Sequence, residues 1–264
     1  MYAPWALILG ASSGFGAAAA RAFAAAGYNI AGVHLDRRAG MAAVEGLQEE
    51  LRGRGSEVRF FNVNAADDER RAEVVAELTT LAQEGGVRVF LHSLAFGSLL
   101  PFVPGVGEGR SGKGLSRKQL EMTMDVMAHS LVYWTQDLVS AGLLRQGGRI
   151  YAMTSSGSHI AWHGYGAVSA AKSALESHVR QLAMELGGRG ITTNAVLAGV
   201  THTPAVEKIP GADALMARAA ERNPHRRLTR PEDVAAALVQ LAAASTYWLN
   251  GSVLHLDGGE DISG

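Results

Sequence analysis

The chain has 264 residues, 47% of them hydrophobic, with 32 glycines, no cysteine, and 24 basic against 25 acidic residues for a formal net charge of −1. That length can bury one sizeable core, and the charge balance offers no field to hold nucleic acid or an acidic membrane surface. Without cysteine there are no disulfides, thiolate nucleophiles, zinc–cysteine sites or iron–sulfur clusters. Such usage suits a reducing compartment, and residues 1–10 carry one short apolar run without a basic flank, unlike a signal peptide or membrane span. A soluble, cytoplasmic protein is expected.

Short apolar runs alternate with longer stretches suited to helices. Strands are expected at 5–9, 29–33, 58–61, 87–91, 149–153, 192–196 and 252–256, and helices at 15–26, 41–52, 68–84, 117–144, 165–186 and 231–244. Several of the strands are apolar at consecutive positions, as strands buried on both faces are. Pro231-Glu232-Asp233 places a proline and two acids where a helix begins. The alternation implies right-handed crossovers and an α/β fold, a doubly wound sheet of about seven parallel strands with helices on both faces. No linker or repeat divides the chain, so residues 1–264 are expected to form one domain. Two stretches interrupt the rhythm: 97–116, with six glycines and two prolines, and 202–230. Both follow strand ends, where open parallel sheets bind ligands, so substrate loops are expected around 96–118 and 200–230.

Gly10-Ala11-Ser12-Ser13-Gly14-Phe15-Gly16 lies between the first strand and the first helix. Glycines there let backbone amides approach a pyrophosphate, and the helix N-terminus favours its charge. Twenty residues after Gly16 comes Asp36, followed by Arg37 and Arg38. The carboxylate suits the ribose hydroxyls of NAD, whereas the guanidiniums suit the 2′-phosphate of NADP. The two signals compete, with a slight tilt to NADPH.

Ser155 follows the fifth strand, and Tyr165 and Lys172 lie at the start of the next helix, seven residues apart and therefore on one face. Lys172 is one of four lysines and sits in an alanine-rich helix. Beside a cofactor cleft, its ammonium would lower the phenol pKa and bind hydroxyls. His159 and His163 are spaced four apart but lack an acidic third ligand, so no metal site is expected.

The glycine loop, the Ser155, Tyr165 and Lys172 set, Asn194-Ala195-Val196 and Leu256-Asp257-Gly258-Gly259 together resemble the short-chain dehydrogenase/reductase superfamily across essentially the whole chain. The resemblance implies a Rossmann-like fold, NADH or NADPH as cofactor, and a homotetramer or homodimer built on helix contacts. Most of that superfamily has tyrosine four residues before the lysine, where this chain has Val168. The Tyr-x6-Lys spacing is similar to that of the enoyl-acyl-carrier-protein reductases of fatty acid biosynthesis, as is the run His92-Ser93-Leu94-Ala95-Phe96-Gly97. Met127 stands where most members carry an asparagine, and Ala198-Gly199-Val200-Thr201-His202-Thr203 lacks the usual Pro-Gly.

From the resemblance, Tyr165 would donate to the developing enolate oxygen, with Lys172 on the nicotinamide ribose and Ser155 assisting. Further cofactor contacts would come from Asn64, Ser93, Leu94, Ala95, Gly199, Val200, Thr201 and Thr203, and substrate contacts from Phe96, Leu99, Met153 and Trp162. The substrate would be a small-molecule or carrier-linked acyl thioester. The basic run from His225 to Arg230 could receive an acidic acyl carrier protein. Two alternatives stay open, a carbonyl or 3-oxoacyl reductase and a non-catalytic nucleotide sensor on the same fold.

Overall fold

The computed structural model describes residues 2–106, 112–209 and 211–263. Its strands are β1 (Trp5–Leu9), β2 (Asn29–His34), β3 (Val58–Asn62), β4 (Val87–His92), β5 (Leu144–Thr154), β6 (Thr192–Ala198) and β7 (Val253–Leu256). The helices are α1 (Gly14–Ala25), α2 (Met41–Gly53), α3 (Asp68–Leu81), α4 (Arg117–Met124), α5 (Ser130–Ser140), α6 (Gly166–Leu186), α7 (Ala212–Arg222) and α8 (Pro231–Leu241). The strands form one sheet in the order β3-β2-β1-β4-β5-β6-β7, and every neighbouring pair is parallel.

Strand periodicity sends alternate side chains to opposite faces. Trp5, Leu7 and Leu9 of β1 face a core with Val74 and Leu78 of α3, Leu131 and Trp134 of α5, and Ala171 and Leu175 of α6. Ala6 and Ile8 face the second core, built from Ala20 and Phe23 of α1, Leu47 and Leu51 of α2, and Val234 and Leu238 of α8. Both faces are covered, which is why the strands read as continuous apolar runs.

Three segments differ from the sequence expectation. β5 begins at Leu144, where the sequence suggested 149, because Leu144 pairs with Val87 before the register breaks. The intervening carbonyls of Gly147 and Gly148 accept from the buried Arg149 guanidinium at 3.0 and 3.3 Å. The helix expected over 117–144 is interrupted by a π turn (Asp125–His129) and ends at Ser140, leaving 144 to the sheet. The stretch 202–230, read as a loop, contains α7; that helix buries little beyond Ala219, so its apolar signal is weak. Residues 107–111 of the other predicted loop lie outside the described residues. Among the described residues, no helix is long and apolar enough to cross a membrane.

Candidate active site

The carboxyl ends of β1, β4 and β6 bring three of the predicted stretches together. Gly10 has φ +84°, and a Cβ there would collide with the Ser93 carbonyl oxygen; a Cβ on Gly16 would collide with the Gly10 carbonyl. A Cβ at Gly14 would lie 3.3 Å from Cγ2 of Thr203, so glycine lets the segment after β6 close onto the loop after β1. Ser13 precedes α1 without capping it through its side chain, and no acid occupies the first turn. The amides of that turn thus remain available to an anion, which the helix dipole favours, and the loop fits a pyrophosphate. Ser12 and Phe15 are half-buried beside it, and Ser13 is exposed.

At the end of β2, Oδ2 of Asp36 is held 2.9 Å from Nδ1 of the buried His34. Asn62 brackets the Asp36 backbone, accepting from its amide at 3.1 Å and donating to its carbonyl at 3.0 Å. Arg37 and Arg38 follow, both exposed. Asn64, expected among the cofactor contacts, is exposed and accepts from the Ala66 amide at 3.1 Å, which shapes the turn after β3.

Lys172 on α6 is buried, and its Nζ donates to the Met153 carbonyl at 2.6 Å. Burial pulls its pKa down to about 8, against the opposing charge of Glu176 one turn on. Glu176 itself accepts from Thr154 Oγ1 at 2.7 Å. Tyr165 caps the N-terminus of α6 and is half-buried. Burial raises the phenol pKa, partly opposed by the neighbouring Ser155 hydroxyl. The two hydroxyls miss hydrogen-bond geometry, and Ser155 Oγ is buried without a partner among the described residues. Gly157 permits this closeness: a Cβ there would lie 2.6 Å from Tyr165 Cε1 and 3.2 Å from Ser155 Oγ. An unpaired buried hydroxyl beside a protonated phenol is what a site for a substrate oxygen requires.

Behind these groups lies His92, fully buried at the end of β4. Ser130 Oγ donates to the Val126 carbonyl in the π turn at 2.8 Å, so it accepts from His92 Nε2, also at 2.8 Å. Burial, with the Lys172 charge adding to it, pushes the imidazole pKa down to about 3, and His92 stays neutral. Sequence reasoning placed neither His92 nor Glu176 in the site. The i, i+4 spacing of Lys172 and Glu176 was the available signal for the second.

The chain around 97–104 lies across the start of α6. A Cβ on Gly166 would press on the Phe102 ring at 2.5 Å, and one on Gly164 would come within 3.6 Å of the Leu99 carbonyl oxygen. Phe96, Phe102 and Trp162 are exposed apolar surface at this mouth, and Leu99 is half-buried. Met153 corrects the sequence expectation. Its side chain is 5% exposed and packs with Tyr151 and Val196 in the second core, so only its carbonyl reaches the site. His159 meets Asp261 at 3.0 Å. In the basic run, Arg227 bonds both carboxylate oxygens of Asp233, and Arg226 donates to the Glu221 carbonyl.

A family model described as Enoyl-(Acyl carrier protein) reductase matches residues 10–260. The chain belongs to the short-chain dehydrogenase/reductase superfamily. Superfamily relatives include a D-threitol dehydrogenase of Mycolicibacterium smegmatis, 30% identical over 97% of this chain and 92% of the relative. An enoyl-[acyl-carrier-protein] reductase [NADH] of Aquifex aeolicus is also 30% identical, aligned over 68% of this chain and 64% of its own length. The crystal structure of an enoyl-[acyl-carrier-protein] reductase (NADH) from Aquifex aeolicus covers 99% of this chain and 97% of that one. It has a TM-score of 0.84 at 27% identity. The chain is thus a short-chain oxidoreductase of the kind that uses NADH or NADPH, and the glycine loop fits that cofactor.

Proposed function

We propose that this oxidoreductase reduces the carbon–carbon double bond of an enoyl thioester, with NADPH as the preferred cofactor. The observation that carries the reading is where the phenol stands. Position 168, one helical turn before Lys172, holds a valine 4% exposed. A Cβ on Gly97 would already lie 2.7 Å from Val168 Cγ2, 2.8 Å from Thr123 Cγ2 and 2.9 Å from Met127 Sδ, so that place is closed by apolar packing. Tyr165 stands nearly a turn further out, at the cap of α6.

That displacement matches the chemistry of an enoyl thioester. In ketone reduction the hydride and the proton go to adjacent atoms. In an enoyl thioester the hydride goes to the β-carbon and the charge appears on the thioester oxygen, three bonds away. A donor moved outward along the helix suits the second separation, and it acts where charge develops in the transition state. When bound, the dinucleotide supplies the hydride. Tyr165 stays protonated through the working pH range because its pKa is raised, and donates to the enolate oxygen. The Ser155 hydroxyl, unpaired beside it, orients that oxygen. Lys172 holds the ribose and supplies positive potential.

NADPH is favoured because His34 already engages the Asp36 carboxylate while Arg37 and Arg38 stand exposed beside it. The exposed aromatic mouth suits an acyl chain, delivered on a small thiol or on an acyl carrier protein. Cofactor oxidation measured with both nucleotides on crotonyl and acetoacetyl thioesters tests the reading. Turnover of the crotonyl substrate with NADPH is the expected outcome; turnover of the ketone alone overturns it. The second reading, a carbonyl reductase, is favoured by the near full-length match to D-threitol dehydrogenase.

A further inference from the structure

We propose that Glu260 is a positioning residue for the cofactor, acting through the backbone amide of Val200. The two residues are 60 positions apart, yet the Val200 amide donates to both carboxylate oxygens, at 3.2 Å to Oε1 and 3.1 Å to Oε2. Glu260 is 3% exposed. Gly199 makes the approach possible: a Cβ there would lie 2.6 Å from Glu260 Oε2 and would collide with Thr229 Oγ1. The segment held in this way is the one whose Thr203 meets Gly14 of the phosphate loop.

The anchor at the other end is rigid. Asp257 accepts from the Gly259 amide at 3.0 Å and the Asp261 amide at 2.8 Å, and its carbonyl accepts from Asn223 Nδ2 at 2.8 Å. Glu260 therefore ties the segment after β6 to a turn that is itself held by hydrogen bonds. Ionisation comes at a cost in this position. Burial raises the carboxyl pKa, the nearby charges of Asp257 and Asp261 add to the rise, and the Val200 amide and Arg222 oppose it. A well-packed apolar side chain would be the less costly filler for a buried site. What the carboxyl group adds is an acceptor for the Val200 amide, and with it a single position for residues 199–203.

This inference rests on the assignment of residues 199–203 to the cofactor and not on which substrate is reduced. Binding is therefore measured without substrate, so failure of the enoyl reading leaves it standing. Calorimetric titration of the purified full chain with NADP+ and NADPH at neutral pH is the experiment. Glu260→Leu is expected to weaken both nucleotides roughly tenfold, with kcat at saturating cofactor changed far less. Glu260→Gln keeps an acceptor oxygen but cannot ionise. Binding close to that of the wild type is expected of it, since the Val200 amide keeps an acceptor. Wild-type affinity in a folded Glu260→Leu variant overturns the proposal. Should that variant not fold, Glu260→Ala is titrated in its place, and wild-type affinity in it overturns the proposal equally.

Discussion

The Lys172 ammonium reaches from α6 to the Met153 carbonyl at the end of β5, 2.6 Å away, and that buried bond fixes where the ammonium stands. Burial holds its pKa at about 8, below the ordinary 10.5. The charged form is thus disfavoured in the folded protein, which is less stable below pH 8 than an unburied lysine would leave it, and the penalty lifts as pH rises towards 10.5. Two outcomes are expected. In the free enzyme, kcat/KM for the cofactor declines above about pH 8 as the ammonium deprotonates. Lys172→Met abolishes that limb and most activity, yet melts higher at pH 7, by the equivalent of about 1–2 kcal/mol. Pre-steady-state binding and thermal melts measure the two effects.

Tyr165→Phe removes the proton donor while keeping the ring that packs beside Gly157. Turnover should fall about 10²–10⁴-fold, with cofactor Kd unchanged. Moving the phenol inward does not restore it. Val168→Tyr must displace Thr123, Met127 and the chain at Gly97, and is expected to destabilise by about 1–3 kcal/mol. Single-turnover kinetics and denaturant melts of the single and double variants check both.

His92 is held neutral with a pKa of about 3, depressed from 6.5 chiefly by burial. Its contribution to stability is complete above pH 6.5 and is lost as pH falls towards 3, because the unfolded chain takes up the proton first. The wild type should therefore lose on the order of 3–5 kcal/mol over that window from this group, and His92→Phe should lose less. Ser130→Ala leaves Nε2 of His92 without its acceptor and should cost about 1–3 kcal/mol at pH 7. Melts at a series of pH values test the pair.

Replacing Arg37 and Arg38 together by alanine should raise KM for NADPH at least about tenfold while leaving NADH within about twofold, since only the 2′-phosphate needs the guanidiniums. His34→Ala frees the Asp36 carboxylate from its 2.9 Å partner and should shift preference towards NADH. Initial rates with both nucleotides give the ratio directly.

Much of this protein was legible from local pattern. The apolar runs of β1, β2 and β4 end within a residue of their expected limits, because a strand buried on both faces must be apolar throughout. The glycine loop could be read because positive φ and close backbone approach leave little choice of residue at Gly10 and Gly16. Tyr165 and Lys172 could be paired because helical geometry fixes what seven residues span.

Other features had no local signature. The π turn before Ser130 coincides with a contact of Val126, Ser130 and His92 across 38 residues of chain, and no short window of sequence contains that exchange. Met153 looked like a substrate contact from its place at a strand end. Strand alternation sends its side chain to the far core and leaves only its carbonyl for Lys172. Glu260 reads as an ordinary surface acid near a terminus until β6 and β7 are laid side by side and its carboxylate meets the Val200 amide. Sequence by itself determined most of the elements, the glycine loop and the spacing of Tyr165 and Lys172, since these depend on φ/ψ limits and periodicity within a few residues. Tertiary structure alone decided which groups are buried and which partners they meet, as Glu260 meets the Val200 amide, because burial and charge partners come from elements far apart in the chain.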